Sequence, residues 1–134
     1  MVRSTEATSK PVEFVGTSRE DLSGFPDEAK LRIGHHLHVI SEGMPLGDVE
    51  NVKPFPSVGT GAYQISVRTG QQGVDHRVFF VAKFQDVIYV LHAFEKKQQS
   101  TPQADIDKGK ARYEEVRARH RLGIAPLKKA SRKK

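Results

Sequence analysis

Val87-Ile88-Tyr89-Val90-Leu91-His92-Ala93-Phe94-Glu95-Lys96-Lys97 is a continuous apolar run that ends abruptly in two lysines. Its short length and its wealth of β-branched and aromatic residues predict the central strand of a sheet. The lysines then stand at the strand's exit, held by a rigid element. A Lys-Lys step in that place fits two readings, a contact for a phosphate-bearing partner or a solubilising turn.

Working outward, His76 to Ala82 is a second, nearly continuous apolar strand that begins with Arg77, and Gln85-Asp86 turns it into the first. Tyr63 to Arg68 alternates, with Tyr63, Ile65 and Val67 on one face and Gln64, Ser66 and Arg68 on the other. Thr69 to Asp75 reads as a polar, Gly-containing hairpin loop. Three strands joined by short turns make an antiparallel meander. Asn51 to Phe55 adds a weak strand ended by Pro54 and Pro56, and Pro11 to Val15 a short alternating one.

Two helices are expected between those outer strands. Ser18 offers a hydroxyl N-cap for a short helix that stops at Gly24. Pro26 suits the first turn of a second helix. Along it, Ala29, Ile33, Leu37, Ile40 and Met44 recur at helical spacing, and Gly43 marks the end. Gly34 costs roughly 1 kcal/mol in propensity, which suggests a close contact that demands it. A tight Gly-Phe-Pro corner would fold the pair into a hairpin. A last helix starts with Thr101 as its N-cap and Pro102 at its first position, carries Asp105 and Asp107 in its early turns, and shows a narrow stripe of Ile106, Gly109, Tyr113 and Val116. The expected fold class is α+β: an antiparallel-dominated sheet of four to five strands with an N-terminal helical hairpin and a C-terminal helix, burying Ile33, Leu37, Val78, Phe80 and Leu91.

The chain has 134 residues, enough for one domain, expected over 11–122. Residues 1–10 are expected to be flexible, and 123–134 a disordered basic tail, since Leu127 to Lys134 holds five basic residues in eight. Hydrophobic residues make up 37%, which supports a modest core. A net charge of +6 and a pI near 9.7 favour anionic partners. With no cysteine there are no disulfides, thiolate metal sites or cysteine nucleophiles, which fits a cytoplasmic location. No window is apolar enough to span a bilayer, and Met1 to Lys10 lacks the apolar core of a secretion signal.

Several segments together carry a resemblance. Leu31-Arg32-Ile33-Gly34, Gly61-Ala62-Tyr63, the run Arg77 to Phe84 and the run Val90 to Lys97 come first. Thr101-Pro102, Asp105-Ile106-Asp107 and Ala111-Arg112-Tyr113 follow. In this order and spacing, from about Val12 to Val116, they resemble the phage-derived branch of the RelE/HigB toxin family. The resemblance implies a RelE-like fold and the toxin role in a type II toxin–antitoxin system. Such a toxin is a small basic ribonuclease that cuts messenger RNA, usually in the ribosome. Its implied partners are a cognate antitoxin, expected to be a helix-turn-helix protein, and mRNA with the ribosome, with no membrane and no cofactor.

Cleavage without a metal needs the 2′-hydroxyl to attack the adjacent phosphate in line, with a base, an acid and cations for the phosphorane charge. Arg68 and Arg77 flank one hairpin loop, and Lys96 and Lys97 end the adjoining strand, so antiparallel neighbours can gather all four at one phosphate. Arginine offers a planar fork and lysine a point charge. Arg68 and Arg77 are therefore the candidates for phosphate binding and transition-state charge. Lys97 would serve as clamp or general acid, and Lys96 as an RNA backbone contact. Lys83 and Arg112, in the matching segments, are further expected RNA contacts. The alternative for Arg68 and Arg77 is pairing across the loop with Asp75 or with solvent.

Gln64 and Ser66 depart from the family pattern, which places ionisable groups on this strand's polar face, so proton transfer is left unassigned. His76, expected to be exposed beside Arg77, and His92, expected on the apolar face with Ile88, Val90 and Phe94, are the substitutes. His92 also reads as a core histidine. His35 and His38 could start a metal site but lack a third ligand and read better as a solvated face. Tyr89 and Tyr113 suit core packing more than base stacking. Gly59-Thr60-Gly61 is too short for a nucleotide-phosphate loop, and Phe55 and Pro56 beside it would pack the hairpin. The departures keep two alternatives open. One is a same-fold toxin that inhibits a protein target such as DNA gyrase. The other is a non-catalytic phage-derived protein that binds nucleic acid or antitoxin.

Overall fold

The computed structural model describes residues 10–70, 73–84 and 86–123. The expected flexible start and the basic tail lie almost entirely outside these residues. The elements run β1 (Val12–Phe14), α1 (Ser18–Ser23), α2 (Asp27–Ser41), a 3₁₀ turn (Leu46–Asp48), β2 (Val52–Pro54), β3 (Ala62–Thr69), β4 (Val74–Phe84), β5 (Val87–Lys96) and α3 (Gln103–Arg121). The strands form one sheet in the order β1-β5-β4-β3-β2, antiparallel except for β1, which lies parallel to β5. The α+β class with a five-stranded, mostly antiparallel sheet is thus borne out. The apolar run is β5, an interior strand whose residues Val87 to Phe94 are all buried.

The sheet is covered on both faces, so there are two cores. On the first face Ala29, Ile33, Leu37 and Ile40 of α2 meet Ile65, Val67, Val78, Phe80, Ile88 and Val90. On the second, Tyr113 and Val116 of α3 meet Phe79, Val81, Tyr89 and Leu91. Fully burying a side chain such as Ile33 is worth about 1.5–3 kcal/mol. Gly109 lets α3 approach closely: a Cβ there would stand 2.9 Å from Phe79 Cδ2 and 3.0 Å from Val58 Cγ2. Of the two N-terminal helices, α1 packs on β5 and α2 on β3.

One irregularity matters for the site. Phe79 is opposite His92 but Phe80 is opposite Val90, so Leu91 is an extra residue, a β-bulge. The bulge shifts the alternation by one. Ile88 and Val90 face the first core, whereas His92 and Phe94 face the second, where their rings stack at 5.1 Å. The expectation that His92 shares a face with Ile88 and Val90 is corrected by this slip. Leu91, likewise, belongs to the core under α3 and not to the one under α2.

Smaller corrections have local causes. Thr17, not Ser18, is the N-cap of α1; Ser18 is buried and its hydroxyl donates to the Val90 carbonyl at 3.0 Å. Pro102, not Thr101, caps α3. Helix α2 ends at Ser41, with Gly43 at φ +104°, so Met44 lies beyond the apolar stripe and is 43% exposed. Gly34 has open space around it, so no close packing requires it.

Candidate functional site

Helix α3 covers only part of the second face. At the other end of β3, β4 and β5 the polar side of the sheet is left open, and register arranges it in rows. Arg68, Asp75 and Lys96 lie opposite one another across the three strands, followed by Ser66, Arg77 and Phe94, then Gln64, Phe79 and His92. Neighbouring strands are about 4.8 Å apart. This close spacing places Asp75 between two cations and next to a third, Arg77, two residues along its own strand. The hairpin is tighter than expected. Pairing continues to Thr69 opposite Val74, which brings Asp75 out of the loop and into the ladder.

Arg77 and Asp75 form a two-pronged ion pair. Arg77 Nε donates to Asp75 Oδ1 and Nη2 to Oδ2, both at 2.9 Å, and Nη1 donates to Gln64 Oε1 at 2.9 Å. Ser66 Oγ donates to Asp75 Oδ1 at 3.4 Å, and Arg68 Nη2 is 3.7 Å from Asp75 Oδ2. Both members of the pair are largely buried, with side chains 14% and 11% exposed, against 68% for Arg68. Burial raises the Asp75 pKa, but the Arg77 hydrogen bond and the charges of Arg77, Arg68 and Lys96 outweigh it. They hold the carboxyl below its ordinary value, so it is ionised at neutral pH. Of the two readings left open for the arginines, pairing with Asp75 is the geometry present.

Arg68, Asp75, Lys96 and Lys97 line a groove of about 690 Å³. Arg68 Nη1 is braced by the Gly73 carbonyl at 2.9 Å, and Lys96 Nζ by the Gln99 carbonyl at 2.6 Å. Lys97 is exposed and has no partner among the described residues. Glu95 also lines the groove, but its carboxylate lies beside His76 on the opposite face of the sheet, so on the groove's face the cations, Arg77 included, meet the carboxylate of Asp75. The structure therefore brings Arg68, Lys96 and Lys97 together on one rim, with Arg77 set behind it and joined to it through Asp75.

Lys83 and Arg112 are not on that rim. Lys83 lies six residues further along β4, about 20 Å from Arg77 at 3.4 Å per residue, with Nζ 5.2 Å above the Phe84 ring. Arg112 joins α3 to the rest of the fold. Its Nη1 donates to the Leu91 carbonyl at 3.0 Å and its Nη2 to Thr17 Oγ1 at 3.1 Å. Its guanidinium lies on Gly16, where a Cβ would come within 2.6 Å of Nε.

Neither histidine substitute reaches the groove. The expectation that His76 is exposed is corrected: it is fully buried on the opposite face from Arg77, 4.8 Å from the Phe25 ring. Its Nε2 is 2.9 Å from Thr69 Oγ1 and its Nδ1 3.6 Å from Glu95 Oε2. His92 is 2% exposed, and its Nε2 donates to Asp105 Oδ1 at 2.7 Å. Burial lowers its pKa against the opposing pull of Asp105, which favours the neutral ring. His35 and His38 are exposed, and no cluster of three metal-ligating side chains includes them among the described residues. Tyr89 and Tyr113 are core residues; the Tyr113 hydroxyl donates to the Thr60 carbonyl at 2.6 Å, and its ring leaves no room for a Cβ at Gly59.

The model of the family described as "Phage derived protein Gp49-like (DUF891)" matches residues 20–114, well over half of the chain. The chain belongs to this family. It is a RelE-like toxin family, so the resemblance read from the segments between Val12 and Val116 is borne out. Arg68, Arg77, Lys96 and Lys97 all fall inside the Gp49-like match. No curated protein matches the chain. Among solved structures, a double mutant of the E. coli toxin RelE in the free state aligns over 87% of this chain and 99% of its own. The identity is 14% and the TM-score 0.46.

Proposed function

We propose that this Gp49-like protein is the toxin of a type II toxin–antitoxin pair, and an endoribonuclease that cuts messenger RNA held in the ribosome. The observation that carries the reading is the groove around Arg68, Lys96 and Lys97, an open cationic rim in a chain of this family. A strand phosphate fits it by charge. Arg68 supplies a planar fork, while Lys96, the last residue of β5, and Lys97 just beyond it supply compact charges.

In the reaction the 2′-hydroxyl attacks phosphorus in line and the bond to the 5′-oxygen breaks. This leaves a 2′,3′-cyclic phosphate and a 5′-hydroxyl. Arg68 and Arg77 offset the extra charge on the phosphorane, and Lys97 protonates the departing 5′-oxygen. The proton of the 2′-hydroxyl has no good acceptor in the groove. Gln64 already accepts from Arg77, Ser66 is not ionisable near neutral pH, and Asp75 is a weak base because the arginines stabilise its anion. The reading assigns that step to a group of the ribosome or the RNA, which makes cleavage of free RNA slow. The partner in the cell is an antitoxin with an acidic segment, for which the net charge of +6 gives steering, and the site of action is the cytoplasm. Among the described residues no helix is long and apolar enough to cross a membrane.

The missing acceptor also favours a second reading, a same-fold toxin that blocks a protein target without cutting RNA. Inducible expression in a bacterium, with and without a candidate antitoxin and with messenger RNA ends mapped, separates the two. New ends inside coding regions are expected. Growth arrest without new ends points to the protein inhibitor, and absence of toxicity points to a non-catalytic binding protein.

A further inference from the structure

The phosphate-binding reading of the groove leaves one group unexplained, a carboxylate at its centre. An anion site normally excludes acids, yet Asp75 stands between Arg68 and Lys96 in register and holds Arg77 by two 2.9 Å bonds. That bidentate fork is the geometry in which arginine also receives two phosphate oxygens. Ser66 Oγ and Arg68 Nη2 point at the same carboxylate, at 3.4 and 3.7 Å. The donors a phosphate would use are therefore already aimed at one anion.

We infer that Asp75 is a built-in competitor for the RNA phosphate, occupying the Arg77 fork in the free protein and yielding it when a strand binds. This deepens the proposed function and rests on its groove. Gln64 stays on Arg77 Nη1 throughout and keeps the guanidinium plane fixed, so only the carboxylate has to be exchanged. Displacement is the route available near neutral pH, because the neighbouring cations keep Asp75 ionised. The exchange sets a threshold. A free phosphate ion brings only its own charge against the carboxylate. A strand brings adjacent phosphates that also engage Lys96, Lys97 and Arg68, so a polyanion displaces Asp75 where inorganic phosphate does not.

The test uses a fluorescein-labelled single-stranded RNA oligonucleotide, fully 2′-O-methylated so that it cannot be cut, with binding read by anisotropy over a salt series. Asp75→Asn is expected to bind about tenfold tighter than wild type, in line with one charge-assisted contact, and with a salt slope steeper by about 0.7. Asp75→Asn combined with Arg77→Gln should lose that gain. Thermal melts establish that each variant is folded. In wild-type protein the Arg77 Nε–H and Asp75 carboxyl resonances should move together at saturating oligonucleotide and stay put with inorganic phosphate. This second measurement holds even if Asp75→Asn does not fold. Wild-type binding with equal or weaker binding by folded Asp75→Asn overturns the competitor and leaves the groove standing, as do unmoved resonances at saturation. No binding by wild type overturns both.

Discussion

Gly34 and Gly109 both lie inside helices, and alanine at either should recover the same propensity cost, about 1 kcal/mol. Their surroundings set opposite signs. Around Gly34 nothing lies within 4 Å of an added Cβ, so the propensity gain stands alone. For a domain of this size about 1 kcal/mol is a rise of roughly 3–6 °C in Tm. At Gly109 the methyl would meet Phe79 Cδ2 at 2.9 Å and Val58 Cγ2 at 3.0 Å. Phe79 cannot give way. It is fully buried, stacked at 4.8 Å on Phe55 and tilted against Phe94 at 5.2 Å. Overpacking of this kind costs about 1–3 kcal/mol, which exceeds the propensity gain over most of its range. Gly34→Ala should therefore melt higher than wild type and Gly109→Ala lower, by circular dichroism. Shifts of the same sign would refute the packing of α3 on β4 that shapes the covered part of the second face.

Other expectations address charge and pH. Burial lowers the His92 pKa, so the unfolded chain takes up this proton more readily than the folded one. Stability should be full above about pH 6.5 and decline as pH falls below it, and His92→Gln should flatten the dependence in urea midpoints taken between about pH 5 and 8. Arg112→Ala removes bonds to the Leu91 carbonyl and Thr17 and should cost about 1–3 kcal/mol in urea denaturation; lost RNA affinity at unchanged stability would instead make Arg112 an RNA contact. Arg68→Ala and Lys97→Ala should each weaken oligonucleotide binding and reduce the salt slope by about 0.7, measured as anisotropy against salt.

Much of the frame was legible because it rests on local periodicity. The alternation of Tyr63 to Arg68 places Gln64, Ser66 and Arg68 on one face, and the structure keeps them there. The stripe from Ala29 to Ile40 is the buried side of α2. What escaped depends on register and on distant partners. Val90 and Leu91 are both apolar, so neither alternation is penalised and nothing in the sequence marks the bulge that turns His92 to the other face. Asp75 reads as loop by composition. It joins the ladder because Thr69 pairs with Val74, and only the spacing of Asp75 and Arg77, two apart and in phase with Arg68, hints at the ion pair. His76 looks exposed beside Arg77, yet strand alternation sends it inward to Thr69 and Phe25. Arg112 resembles a free cation until Thr17, far along the chain, comes beside it.

The central proposal is that Arg68, Arg77 and Lys97 act together to break RNA through its own 2′-hydroxyl. Purified protein added to messenger RNA on translating ribosomes, with the new termini identified chemically, tests it most directly. The expected products carry 2′,3′-cyclic phosphate and 5′-hydroxyl ends, and Arg68→Ala with Lys97→Ala should abolish them. Intact messenger RNA, or fragments with 5′-phosphate ends, would contradict it.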